Sequence, residues 1–174
     1  MEEQKDQEAL DREEYFRAYF GQSADYYWQK VEEYGDGRTY TFNVFAFVFG
    51  LSWMLYRKMY RPMVVLLGLI LLSSALESSL WMRLHLSEAT IEFIGNAEMV
   101  AWAFLMGFLG NNLYLKQAAR TIESVTDELD DKEHIKARLA QLGGVTLRPH
   151  LLILLFLIGA MLLMKFGVLP TLFP

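Results

Sequence analysis

The sequence contains no cysteine. That excludes a disulfide framework, a thiolate metal site and a thiol nucleophile together. The N-terminus has neither the basic flank nor the apolar run of a signal peptide. Positive charge is short as well: 16 lysines and arginines stand against 21 aspartates and glutamates, a net charge of -5. Much of the acid lies in the first 33 residues, among them Glu2, Glu3, Asp6, Glu8, Asp11, Glu13 and Glu14. Such an acidic tail argues against nucleic-acid binding, which needs a basic stripe. The histidines, His85, His134 and His150, are scattered, and none stands at a ligand spacing such as i, i+4. No serine sits in a nucleophile elbow, and Gly107-Phe108-Leu109-Gly110 is no phosphate loop. No catalytic residue, metal ligand or cofactor is therefore assigned, and the chain is not expected to be an enzyme.

What the chain does have is long apolar runs. From Met63 to Leu72 no polar side chain interrupts, and the stretch containing this run, 62–82, carries Trp81 near its end. A bilayer core about 30 Å thick takes roughly 20 mostly apolar residues as a helix. The stretch at 62–82 meets that length, and others follow at 91–110 and 149–169. The mean hydropathy of +0.18 averages these runs with a charged N-terminal region and a polar insert. A length of 174 residues suits one compact unit. The expected fold is all-α: a polytopic membrane protein with three transmembrane helices, an interfacial or re-entrant aromatic helix and a cytoplasmic helical hairpin.

The divisions follow composition. Residues 1–40 read as acidic and aromatic cytoplasmic helices, with the first ten frayed. Tyr15 with Tyr19, and Phe16 with Phe20, lie one turn apart on a helix over 11–20. Ser23 is placed to cap a second helix over 24–34, which Gly35 stops. In residues 41–61, Phe42, Phe45, Phe49, Trp53, Tyr56 and Tyr60 recur at helical spacing, which predicts an aromatic helix face weakened at Gly50. Its apolar part is short for a span, and aromatic rings prefer the headgroup level, so an interfacial or re-entrant helix is expected; the alternative is a full span.

Tyr56-Arg57-Lys58-Met59-Tyr60-Arg61 closes this segment as a basic edge. It suffices as a topology signal, since cytoplasmic flanks are enriched in Lys and Arg. A sharper reading makes Arg57, Lys58, Arg61, Trp53, Tyr56 and Tyr60 a lipid-headgroup contact, at about 1 kcal/mol per basic residue near an anionic surface. Residues 62–110 then form a transmembrane hairpin. Residues 111–148 return as a cytoplasmic insert of two helices, the first with Leu115, Ala119, Ile122, Val125 and Leu129 on one side. The second is capped from Asp130, with Glu133 three residues on and an apolar stripe of Ile135, Leu139 and Leu142. Residues 149–174 give the third span and a short tail with Pro170 and Pro174, Lys165 snorkelling near its outer end. The N-terminus is expected inside.

Two sets of residues stand out within the spans. Glu77, Asn96 and Glu98 form a candidate intramembrane polar site, because a charge at mid-bilayer costs on the order of 3 kcal/mol and normally faces a bundle interior. Ala103, Gly107, Asn111 and Tyr114 fall on one helix face whose small and polar residues suit close helix packing.

Asp25-Tyr26-Tyr27, Thr41-Phe42-Asn43, Ala46-Phe47 with Gly50 and Trp53, and the Tyr56-to-Tyr60 block together resemble the bacterial family known as domain of unknown function 2628. Gly110-Asn111 with Tyr114, and Gly143-Gly144-Val145-Thr146, resemble its later signature. The resemblance implies a multi-pass protein of the bacterial inner membrane and offers no activity. The expected role is a non-enzymatic interaction or scaffolding subunit, with the lipid bilayer, a second copy or another membrane protein as partner. The alternative is a small oligomeric proton- or ion-conducting element that uses Glu77, Asn96 and Glu98.

Overall fold

The computed structural model of the chain describes residues 1–38 and 41–165. Among these, the structure is helical throughout: α1 (Glu2–Phe20), α2 (Ala24–Gly35), α3 (Val44–Tyr56), α4 (Tyr60–Leu84), α5 (Glu88–Glu128), α6 (Lys132–Leu142) and α7 (Arg148–Lys165). The Lys165 side chain and the tail with Pro170 and Pro174 lie outside the described residues.

α1 starts at Glu2, not at residue 11. Its polar first turns contain Glu, Gln, Lys, Ala and Leu, all good helix formers, and Glu2 and Glu3 sit at the positive end of the helix dipole. Phe16 and Phe20 do meet, with ring centroids 5.6 Å apart. Gly21, at φ 59, stops the helix. Ser23 occupies the N-cap of α2 but makes no capping bond. Its hydroxyl is taken by Arg57, whose Nη2 donates to it at 3.0 Å.

The segment over 42–60 is not one helix. Asn43 caps α3 by accepting from the Ala46 amide at 2.8 Å. Gly50 then leaves the helical region altogether, at φ 50 and ψ -125. The turn through Lys58, at φ 58, separates α3 from α4. The aromatic stripe is consequently split: Phe45 and Phe49 are exposed while Trp53 is buried. α3 also doubles back along α5. Its start is bonded to Gly107, the Asn43 amide donating to that carbonyl at 2.8 Å. Phe47 reaches Phe104, with centroids 5.0 Å apart. By Trp53 the chain is back beside Tyr114. The Gly50 break lets the chain run in towards the middle of α5 and back out along it.

α4 and α5 are long and apolar enough to cross a membrane; α7 ranks with the shorter apolar helices over its described residues. α5 has 41 residues, about 60 Å at 1.5 Å per residue, so it runs well past any bilayer thickness into the insert. Its buried stripe is Gly107, Asn111, Tyr114, Ala118, Ile122 and Val125. Ala118 is buried and Ala119 exposed, because the stripe keeps the phase set by Asn111 and Tyr114. α6 is capped by Asp131 rather than Asp130, its Oδ1 accepting from the His134 amide at 2.8 Å. Ile135 and Leu139 of α6 are buried, whereas Leu142 is exposed.

These elements make two bodies of different character. α1, α2, α6, the end of α3 and the second half of α5 enclose a core built on Tyr19, Phe20, Tyr27, Trp53, Tyr114 and Leu139. Along α4, the first half of α5 and α7, apolar side chains stay uncovered: Leu71, Leu76, Phe93, Met99, Leu155 and Phe156 are each more than half exposed.

Candidate functional site

The two bodies join at an elbow where α3 ends and α4 begins, and its geometry follows from one buried cation. Arg57 is 9% exposed. Its guanidinium lies 4.8 Å from the Tyr27 ring centre, 5.4 Å from Tyr114 and 5.8 Å from Tyr56. Among the described residues it pairs with no carboxylate, and its Nε and Nη1 have no hydrogen-bond partner. Removing a cation from water costs several kcal/mol. Aromatic faces at about 2 kcal/mol each when desolvated, with the charge-assisted bond to Ser23, are of the size needed to offset it. Burial in turn pushes the Tyr27 hydroxyl up to about 12, against the opposing pull of Arg57.

Lys58 turns the other way. Its Nζ donates to the carbonyls of Gln141, at 2.9 Å, and Gly143, tying the elbow to the end of α6. The Gly144 amide donates to the Tyr19 carbonyl at 2.7 Å, and the Thr146 amide to the Tyr56 carbonyl at 2.9 Å. A Cβ on Gly143 would collide with the Tyr19 carbonyl, so only glycine lets α1 pass this close. Beside it, Asn43 Nδ2 donates to Asn111 Oδ1 at 2.7 Å, and Asn111 Nδ2 donates to Thr41 Oγ1 at 2.9 Å and to the Tyr26 hydroxyl at 3.3 Å. Both side-chain amides are fully buried, so protein groups and not water must satisfy them. Gly110 lets α3 close in, since a Cβ there would lie 2.7 Å from that of Ala46.

A model of the family described as "Protein of unknown function (DUF2628)" matches residues 3–120. The chain belongs to that family. No curated protein and no solved structure matches the chain. The segments that carry the DUF2628 resemblance meet at this elbow: Tyr27, Asn43, Ala46, Trp53, Arg57 and Lys58, then Gly110, Asn111 and Tyr114. Gly143, Gly144 and Thr146 complete it from outside the matched span.

The lipid-contact set is divided by the structure. Arg57 and Trp53 are inside the protein and Lys58 is engaged with carbonyls, so these three serve the elbow; Tyr60 and Arg61 remain exposed. The cause is the turn at Lys58, which sends successive side chains in opposite directions. The packing face expected at Ala103, Gly107, Asn111 and Tyr114 is used from Gly107 onward, against α3, with Gly110 added and Ala103 only half-buried.

The intramembrane set is also divided. Glu77 lies one turn from Ser73 on α4, and Ser73 is bonded to Glu98 of α5, so the two carboxyls are neighbours across the hairpin. Glu98 Oε1 accepts from Ser73 Oγ at 2.7 Å and from Trp102 Nε1 at 3.0 Å. Asn96 is exposed and does not join them, being two residues from Glu98 and hence on another side of the helix. Ser73 and Trp102 are partners that spacing alone could have supplied: Trp102 is one turn from Glu98, and Ser73 one turn from Glu77. The Asn43–Asn111 pair and the Gly143 contact carry no local signal, because their partners lie far away in the chain. Among the described residues no three histidine, aspartate or glutamate side chains gather to hold a metal ion.

Proposed function

We propose that the chain is an integral membrane protein of the bacterial inner membrane, with α4, α5 and α7 crossing the bilayer and the α1–α2–α6 platform on the cytoplasmic side. Its role is that of a non-enzymatic interaction or scaffolding subunit. One observation carries this reading: a well-packed platform is joined firmly to a hairpin whose apolar side chains have no protein cover. Exposed Leu, Phe and Met along two successive long helices need lipid as their solvent. Arg57, Lys58, Arg61, Lys116, Arg120 and Arg148 cluster at the platform end, against Arg83 at the hairpin tip, which supports a cytoplasmic platform. α7, with 18 residues, measures about 27 Å, close to the thickness of a bilayer core. The first turns of α1 extend the platform as an exposed acidic arm with Glu2, Glu3, Asp6 and Glu8, a surface suited to a basic partner.

Single cysteines in this cysteine-free chain test the topology. Ser87→Cys should react with an impermeant maleimide in intact cells, and Asp130→Cys only after lysis; release of the protein by alkaline carbonate would overturn membrane residence. A photoreactive residue at position 8 should give a discrete adduct that Glu2→Lys and Glu3→Lys abolish. An arm that gives no adduct while the protein stays in the membrane would overturn the scaffolding role.

The carboxyl pair supports a second reading, an oligomeric proton- or ion-conducting element. Two carboxyls stand near each other across the hairpin, and Ser73 and Trp102 hold Glu98 in place. Flux through reconstituted vesicles that is unchanged by Glu77→Gln and Glu98→Gln would remove it.

A further inference from the structure

A groove of about 990 Å³ opens beside the elbow, between the start of α4, the middle of α5 and α6. Its polar end is lined by Lys58, Arg61, Lys116, Arg120 and Arg138, with Glu128 as the single carboxylate on the wall. Among the described residues, none of Arg61, Lys116, Arg120 and Arg138 pairs with a carboxylate. The acids of the chain that do form ion pairs are spent on α1, α2 and α6, as with Asp11 and Glu14 against Lys132. A chain of net charge -5 thus leaves at least four cations converging on one cleft with no internal partner. The other end of the groove is apolar, formed by Val65 and Leu66 of α4 and Leu109 and Leu113 of α5. These belong to the helices long enough to span a bilayer, so the groove passes from apolar to cationic where those helices would leave it.

We propose that this groove is a binding site for an anionic phospholipid, with the phosphate among Arg61, Lys116, Arg120 and Arg138 and the start of an acyl chain along Val65, Leu109 and Leu113. The inference rests on the membrane residence proposed above. Charge complementarity selects the headgroup: guanidinium and ammonium groups from three separate helices surround one space, the arrangement that holds a phosphate. The apolar wall selects an amphiphile over a free anion, because a soluble phosphate would leave that half of the groove filled only with water. Lys58, already bonded to Gln141 and Gly143, fixes the floor and couples the site to the elbow.

The test uses the full chain, purified in neutral detergent and exchanged with equimolar phosphatidylglycerol and phosphatidylcholine, with bound lipid read by native mass spectrometry. Phosphatidylglycerol should be retained preferentially. Retention should fall roughly fivefold per charge removed in Arg61→Gln, Arg120→Gln and Arg138→Gln, following the attraction of one basic residue to an anionic surface. Arg83→Gln, at the hairpin tip, should change nothing. Inorganic phosphate at millimolar concentration should not displace the lipid. Absence of preference, preference that survives the triple variant, or displacement by phosphate would each overturn the proposal. A chain that stays monodisperse without detergent would instead overturn membrane residence itself, a different result from loss of lipid preference in a chain that still needs detergent.

Discussion

The elbow and the α4–α5 hairpin contain much the same kinds of apolar residue and treat them in opposite ways. At the elbow, Tyr19, Phe20, Tyr27, Met54 and Tyr114 are buried to the last few per cent, and Asn43, Asn111 and Arg57 are buried with them. Along the hairpin, leucines and valines face outward, and the polar contact holding the helices together is the small cluster around Glu98. The elbow gains stability from packing, from the Asn43–Asn111 hydrogen bonds and from the aromatic faces around Arg57. The hairpin gains little from its own protein contacts, so its stability belongs to whatever solvent surrounds it. A substitution should therefore cost stability according to which body it falls in rather than according to its chemistry.

The largest effect is expected where backbones touch. Gly143→Ala pushes a methyl group into the Tyr19 carbonyl and should cost roughly 4 kcal/mol or prevent folding, read as lost solubility in mild detergent or a collapsed melting transition. A variant that melts like the parent would show that α1 is not held at this point. Next come matched leucines. Leu139→Ala, at a fully buried position, should cost about 3 kcal/mol, whereas Leu71→Ala, 61% exposed, should change stability in detergent by less than about 0.5 kcal/mol. Equal costs at both positions would erase the distinction between the two bodies.

Asn111→Ala should cost about 2 kcal/mol, because it strands the Asn43 amide and the Thr41 hydroxyl in a dry interface. The same change at exposed Asn96 should be silent in a thermal melt. Alkali gives a similar effect at the elbow alone. Tyr27 is buried, and its hydroxyl is raised from 10.0 to about 12. The folded state therefore holds the neutral phenol more tightly than the unfolded chain does. That stability is complete below pH 10 and is lost as the pH climbs through 12, amounting to about 3 kcal/mol. Tyr27→Phe should lessen this slope in an alkaline denaturation series, the buried Tyr19 and Tyr114 hydroxyls, raised for the same reason, supplying the rest.

The smallest effect belongs to the exposed pairs between α1 and α6. The hydrogen bond from Lys132 holds the Asp11 carboxyl below its ordinary value of 3.8, and Glu14 is lowered by the same partner. A lowered carboxylate contributes stability above the unfolded value and loses it as the pH falls through the folded one. The protection of α1 amides relative to the unfolded chain should thus fall slightly below pH 3.8 and with added salt, leaving the elbow amides untouched.

Much of the architecture was legible in residues close together in the chain. The helical class, the apolar runs, the continuation of the second run into the insert, the break at Gly50 and the Gly143–Gly144 stop all follow from propensity and spacing. The cap of α6 stands one residue later than spacing predicts, because Asp130 and Asp131 are equivalent locally and only the packing of Ile135 and Leu139 sets the phase. The first turns of α1 are helical where their polarity predicts fraying, because Glu, Gln, Lys, Ala and Leu are sound helix formers. The similar depth of Glu77 and Glu98 is legible in the sequence, but the bond from Ser73 to Glu98 needs the hairpin geometry.

Primary structure alone determines the helical class and which helices are long and apolar, since both depend on neighbours within a few turns. The fates of the cations after Trp53 were set by folding. Arg57 goes inward to three tyrosine rings, Lys58 ties down the end of α6, and Arg61 faces a cleft with basic residues of α5 and α6. Their partners come from positions tens of residues away, and a turn of a single residue at Lys58 is enough to exchange core for solvent.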